Sequence, residues 1–222
     1  MKKYLVPVLT ILIVGLSSLA MAAGNGAGIL NSPHDFSAAA WNSTGEICVT
    51  CHTPHDGGRA SNAAGMLWNH DLSAATYTMY DSALSSSLDG AVDAQPTGVA
   101  KLCLACHDGT VALEAFGKNT AVTTTSVPTY AEIPRLDDNG NEDLRGTHPI
   151  SIVYDDVADV NLNIAASTPI GTSGVIADVL DVGGKLQCHS CHDVHDQEAV
   201  AGTALLRVSN AASALCLTCH LK

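Results

Sequence analysis

The chain has 222 residues, 22 of them Asp or Glu against 10 Lys and Arg, and a formal net charge of −12 at neutral pH. That sign of charge makes nucleic acid and anionic membrane surfaces poor partners and favours cationic ones. Only 4% of the residues are aromatic, which is too few large rings for a conventional side-chain core at this length.

Met1, Lys2 and Lys3 precede an apolar run from Tyr4 to Leu16, and Ser17-Ser18-Leu19-Ala20-Met21-Ala22 supplies an A-x-A cleavage pattern. Residues 1–22 are thus predicted to be a secretory signal peptide, removed after Ala22. The run is short for a bilayer span and Pro7 interrupts it, and no later segment is apolar enough for a transmembrane segment. No cysteine stands at the cleavage position to take a lipid. Export is expected, to the extracellular outer surface or alternatively the periplasm. Losing Lys2 and Lys3 takes the formal charge from −12 to −14.

Residues 23–33 read as a flexible, Gly-rich start. His34-Asp35-Phe36 and Trp41 follow, and then Cys48-Val49-Thr50-Cys51-His52. The same pattern returns as Cys103-Leu104-Ala105-Cys106-His107, Cys188-His189-Ser190-Cys191-His192 and Cys216-Leu217-Thr218-Cys219-His220. These four clamps use all eight cysteines. C-x-x-C-H is the attachment pattern of c-type haem. Two cysteines three residues apart stand about one helical turn apart on one face, within reach of both vinyl edges of a porphyrin. The next histidine is then carried under the iron as its proximal ligand. A zinc ribbon pairs two C-x-x-C knuckles without needing a histidine after each, and a disulfide framework has no use for the histidines. Four covalently bound haem c groups are therefore expected. Their burial would replace the missing core, and the haem-free chain is expected to be largely unfolded.

The first clamp runs on through Thr53-Pro54-His55-Asp56 to Gly57-Gly58, which ends any helix. Met66-Leu67-Trp68-Asn69-His70 comes next, and beyond the second clamp Thr110 to Phe116 predicts a short helix closed by Gly117. From Lys118 to about Lys185 the texture turns β-prone, at Thr123-Thr124-Thr125 and at Ser151-Ile152-Val153-Tyr154, with a turn at Asn139-Gly140. Asp137, Asn139, Asn141 and Asp143 alternate as at the start of a calcium loop. The glycine at its sixth position and glutamate at its twelfth are missing, so a solvated turn is the better reading.

The two halves repeat each other: CHTPHD matches CHDVHD, MLWN matches LLRV, and LCLACH matches LCLTCH. This divides the mature chain into a first two-haem module over 23–117, a linker or insertion over 118–147, and a second two-haem module over 148–222. The modules are expected to pack as one tetrahaem unit.

Of ten histidines, His52, His107, His192 and His220 are the proximal ligands. His189 lies inside a clamp loop and is read as solvent-exposed. His34, His55, His70, His148 and His195 remain as candidates for four distal positions. His55 and His195, each three residues beyond a proximal histidine, cannot cap their own haem but can reach an adjacent one. Met66 and Met79, the only methionines after residue 22, read as core packing. An iron with imidazole on both faces passes electrons and leaves no place for substrate. No catalytic residues are therefore expected, and the chain is read as an electron-transfer protein rather than an enzyme. A multihaem reductase subunit is the less favoured reading, since the histidine supply exceeds demand.

The motifs HDF, GEICVTCHTPHD, LWNH, LCLACHDGTVA, THPI, CHSCHDVHD, LLR and LCLTCH cover most of residues 32–222. Together they resemble the doubled-CXXCH family of multihaem cytochromes c, and within it the tetrahaem extracellular filament cytochromes of metal-reducing bacteria. The resemblance implies a mostly irregular, loop-dominated fold with short α-helices at the haem clamps and a few short β-strands in the central insertion. It implies four bis-histidine haems in a continuous chain, and head-to-tail polymerisation in which a histidine of one subunit ligates a haem of the next. His34, just after the N-terminal stretch, is the residue expected to make that link. Other multihaem cytochromes or extracellular acceptors would be the redox partners. A soluble periplasmic electron shuttle is the alternative.

Overall fold

The computed structural model of the protein describes residues 24, 26–53, 67–117, 125–128, 131–133, 135–136 and 141–221. The predicted signal peptide, His55, the Gly57-Gly58 pair, Met66, Thr123-Thr124 and the turn from Asp137 to Gly140 lie outside these residues.

In chain order the regular elements are β1 (Tyr77–Thr78), α1 (Gly98–His107), β2 (Arg135–Leu136), β3 (Glu142–Asp143), β4 (Ile152–Val153), β5 (Lys185–Leu186), α2 (Cys188–Cys191) and α3 (Ala214–Cys219). Among the described residues, turns, bends, irregular backbone and three short 3-10 segments make up the rest. The strands form a three-stranded sheet in the order β1-β3-β2, parallel between β1 and β3, and a separate antiparallel pair of β4 and β5. In register, Tyr77 faces Glu142 and Leu136 also faces Glu142, so β3 is the central strand. Among the described residues, no helix is long and apolar enough to cross a membrane.

Helix α1 is the centre of packing. It starts without a side-chain cap from Thr97. Instead, the Val99 N–H donates to Asp181 Oδ2 at 3.0 Å, across 82 residues. Gly98 makes that approach possible: its φ is +51°, and a Cβ there would collide with the Asp181 carboxylate. Leu102 and Ala105 pack with Trp68, Cys51 and Leu72, while Leu104 packs with Tyr77, Leu144, Ala75, Met79 and Ile150. Burying Leu102 and Leu104 contributes about 2 kcal/mol each.

Two local expectations are corrected. Thr110 to Phe116 is not helical. Asp108 Oδ1 takes the Thr110 N–H at 2.8 Å, a local bond that competes with helix propagation, and the chain then runs in turns to Phe116, which bridges to His70. Nor does the start of the mature chain hang free. Gly24 N–H donates to Thr203 O, Gly28 N–H to Asp196 O, and Gly26 N–H to Asp196 Oδ1. Asp196 is fully buried, so the N-terminal stretch is threaded against the second half of the chain.

Further bonds cross between the halves. Asp93 pairs with Lys185 at 2.6 Å, Thr97 N–H donates to Ser151 Oγ at 3.0 Å, and Val153 N–H donates to Ala91 O at 2.9 Å.

Candidate haem-binding sites

All eight cysteines are free thiols. Clamps 2, 3 and 4 lie on α1, α2 and α3, while clamp 1 is a single turn. In clamps 1, 3 and 4 the histidine N–H donates to the carbonyl of the first cysteine, at 2.8, 3.0 and 2.9 Å. One helical turn therefore closes each C-x-x-C-H, and the two thiols share a face.

The same three clamps are fastened by one repeated device. A short extended segment runs antiparallel to each proximal histidine, with bridges His52 to Trp68, His192 to Leu206 and His220 to Leu162. The residue after the bridge donates its N–H to the second cysteine's carbonyl: Asn69 to Cys51, Arg207 to Cys191, Asn163 to Cys219, at 2.9, 2.9 and 2.8 Å. Its side chain then donates to the carbonyl just after the first cysteine: Asn69 Nδ2 to Val49 O, Arg207 Nε to His189 O, Asn163 Nδ2 to Leu217 O. Thus Leu67 corresponds to Leu205 and Asn69 to Arg207, one residue out of step with the match of MLWN to LLRV. Leu67 and Leu205 share a positive φ, 53° and 59°, a conformation costing a non-glycine residue about 1–2 kcal/mol. The Asn163 copy of the device was invisible in the sequence.

Clamp 2 is held differently. His107 Nδ1 bonds to Ala131 O at 2.7 Å and the Ile133 N–H donates to His107 O at 2.6 Å. Cys103 and Cys188 of clamps 2 and 3 hydrogen-bond, which lowers the Cys188 thiol from its ordinary range, while that bond and burial raise Cys103. Burial also pushes the Cys51 thiol up to about 11.

Three distal candidates stand opposite proximal histidines. The ring centres of His34 and His107 are 6.0 Å apart, those of His52 and His195 6.3 Å, and those of His148 and His220 6.3 Å. Two metal–nitrogen bonds of about 2 Å, plus about 1 Å from each nitrogen to its ring centre, put bis-imidazole ring centres about 6 Å apart. Ring planes can rotate about such an axis, so interplanar angles of 80°, 22° and 54° are all compatible with it.

The tautomers fit as well. His107, His148, His192 and His70 each set Nδ1 against a backbone carbonyl, of Ala131, Pro149, Ala204 and Asp71 respectively. That bond takes the Nδ1 proton and leaves Nε2 with a lone pair for a metal. Burial, and then the neighbouring His107, lowers His34 to about 4, keeping it in the neutral, ligating form. Burial likewise lowers His192. These donor sets suit haem. Among the described residues no three His, Cys, Asp or Glu side chains converge on a bare ion.

The remaining histidines separate into distinct cases. His55 lies outside the described residues. His70 is fully buried and bridged to Phe116, and is not in any of the three pairs. His189 is half-buried rather than solvent-exposed, because Arg207 draws its carbonyl inward. His34 is turned inward onto His107, flanked by Phe36 at 5.8 Å, so a link through it to a second copy would require that pair to separate. No protein-family model matches the chain, and no curated protein matches it.

Proposed function

We propose that the chain is an exported tetrahaem c-type cytochrome, an electron carrier rather than an enzyme. The observation that carries this reading is the spacing of three imidazole pairs, each joining a C-x-x-C-H histidine to a distal candidate. Cys48 and Cys51, Cys103 and Cys106, Cys188 and Cys191, and Cys216 and Cys219 would hold the four porphyrins. His107 with His34, His52 with His195, and His220 with His148 would hold three of the irons. The repeat assigns the fourth: as His195 of the second CHxxHD serves His52 of the first, His55 of the first serves His192 of the second. Haem c so ligated supplies one-electron transfer at low potential. The chain's residues fix the imidazoles, bring the clamps together and leave no open coordination position.

Clamps 1 and 2 lie close enough for the Cys51 charge to act on Cys106, and clamps 3 and 4 for Cys219 to act on Cys191. With the Cys103 bond to Cys188, the attachment points follow one another through the molecule. That succession supports transfer from end to end.

Membership of an extracellular filament is the assembly implied by the resemblance. The inward pairing of His34 favours a second reading, a soluble periplasmic shuttle with every distal ligand from one chain. The test is mass spectrometry and visible spectroscopy of the secreted protein, then electron microscopy. Four haem masses, a low-spin spectrum and no carbon monoxide binding are expected; bare polypeptide mass would overturn the reading. Filaments that survive His34→Ala would remove that residue as linker, and monodisperse holo-protein at high concentration would select the shuttle.

A further inference from the structure

His195 differs from His107 and His148 in how its ring is held. Those two set Nδ1 against a backbone carbonyl. The His195 side is exposed, and among the described residues no hydrogen bond reaches its ring. Its placement 6.3 Å from His52 therefore falls to the backbone that carries it.

That backbone is a tight turn built on two buried carboxylates. Asp193, 6% exposed, accepts the N–H groups of His195, Gln197 and Glu198 at 3.2, 2.8 and 2.7 Å. Asp196 has a φ of +54°, and this left-handed residue turns the chain directly after His195. An L-residue in that conformation is held against its own preference, so the turn depends on contacts from outside it.

Those contacts come from the other end of the chain. Gly26 N–H donates to Asp196 Oδ1 at 2.9 Å and Gly28 N–H to Asp196 O at 2.7 Å, gripping one residue by side chain and main chain together. Gly24 adds two bonds further along the same loop: its N–H donates to Thr203 O, and its carbonyl accepts from Gly202 N–H, both at 2.9 Å. Each glycine is required for its own reason. At Gly24 a Cβ would stand 2.7 Å from Asp196 Oδ1 and 2.8 Å from the Leu205 side chain. Gly26 has a φ of +68°, and a Cβ there would press on Ala199 O at 3.1 Å. Gly28, at +105°, lies beyond the left-handed well that other residues can visit.

We propose that this strap of three glycines is the positioning element for His195, holding its imidazole opposite His52 at clamp 1. This rests on the haem reading above. The strap acts through Asp196, as outer contacts orient a metal ligand elsewhere. With the grip removed, the left-handed turn relaxes, His195 moves away from His52, and one coordination position opens. The pairs of His34 with His107 and of His148 with His220 stay closed.

The test is carbon monoxide binding and visible spectroscopy of the reduced holo-protein. Asp196→Ala should keep four attached haems yet bind one carbon monoxide per chain, with a high-spin component that the wild type lacks. Asp196→Asn retains an acceptor for Gly26 and tolerates a positive φ, so it should stay low-spin. Gly183→Ala, a comparably strained substitution at φ +79° outside the strap, should also stay low-spin. His195→Ala should bind one carbon monoxide, and adding Asp196→Ala to it should open no second site, which separates positioning from general loosening. No binding by Asp196→Ala, an open site in either low-spin control, or a second site in the double variant would overturn the proposal. If Asp196→Ala fails to accumulate, Gly28→Ala should show the same single site, and its silence would count equally against the strap. Wild-type protein without haem, or with an open site of its own, would instead sink the reading on which the proposal rests.

Discussion

Clamps 2 and 4 carry the same five-residue pattern on helices, yet the molecule holds them in opposite ways. Clamp 2 sits on the ten-residue α1, with Leu102, Leu104 and Ala105 buried on both flanks and, among the described residues, no antiparallel staple. Clamp 4 sits on the six-residue α3, which buries no residue and depends on the Asn163 staple. Val157, Val160 and Ile164 beside it are 86%, 77% and 62% exposed. Side-chain packing and backbone stapling are thus interchangeable means of presenting one chemical group. Where packing is absent, the porphyrin proposed above would have to supply the apolar contact.

The largest expected effect is at clamp 2. Leu104→Ala should cost about 2–5 kcal/mol in denaturant unfolding, because it empties a site walled by Tyr77 and Leu144. A cost near zero would mean that α1 is not the packing centre.

Asn163→Ala should come next, at about 1–3 kcal/mol, since it strips donors from the carbonyls of Leu217 and Thr218. Asn163→Arg should recover much of that loss, as Arg207 performs the same task at clamp 3. A rescue would show that the device, rather than the amide, is what clamp 4 requires.

Acid should loosen clamp 2 before clamp 4. Lys185, and then Thr97, holds Asp93 below the ordinary aspartate range. Its folded-state value is depressed, so its contribution is complete above the unfolded value and fades as pH falls through the folded one. The pair is partly exposed, so the effect is of order 1 kcal/mol. It is measured as the loss of acid sensitivity in Asp93→Asn. The smallest effect should be at Leu217→Ala, within about 0.5 kcal/mol, because that side chain is 48% exposed.

What the sequence made legible was whatever is local. The clamps, their turns and the β tendency at Ile152-Val153 follow from spacing and residue type, while the scarcity of regular structure was what the resemblance implied. What it hid was whatever joins distant positions. Asp181 capping α1 across 82 residues has no local signature. Asp196 gripping the N-terminal glycines looks, in sequence, like one more surface acid. The predicted helix at Thr110 to Phe116 lost to a carboxylate two residues before it. The staple itself could have been found from its first two copies, had Asn69 been set against Arg207 on donor capacity rather than Trp68 on apparent similarity.

The facing of His52 by His195 bears on the timing of maturation. On the proposed haem reading, a chain secreted N-terminus first would present its first attachment site well before the histidine that would complete that site has emerged. Early iron would stand open to stray ligands until the last fifth of the polypeptide arrives. Truncation beyond the third clamp but short of residue 195 should therefore yield a pigment that binds carbon monoxide, marking the point at which biogenesis is most exposed to error.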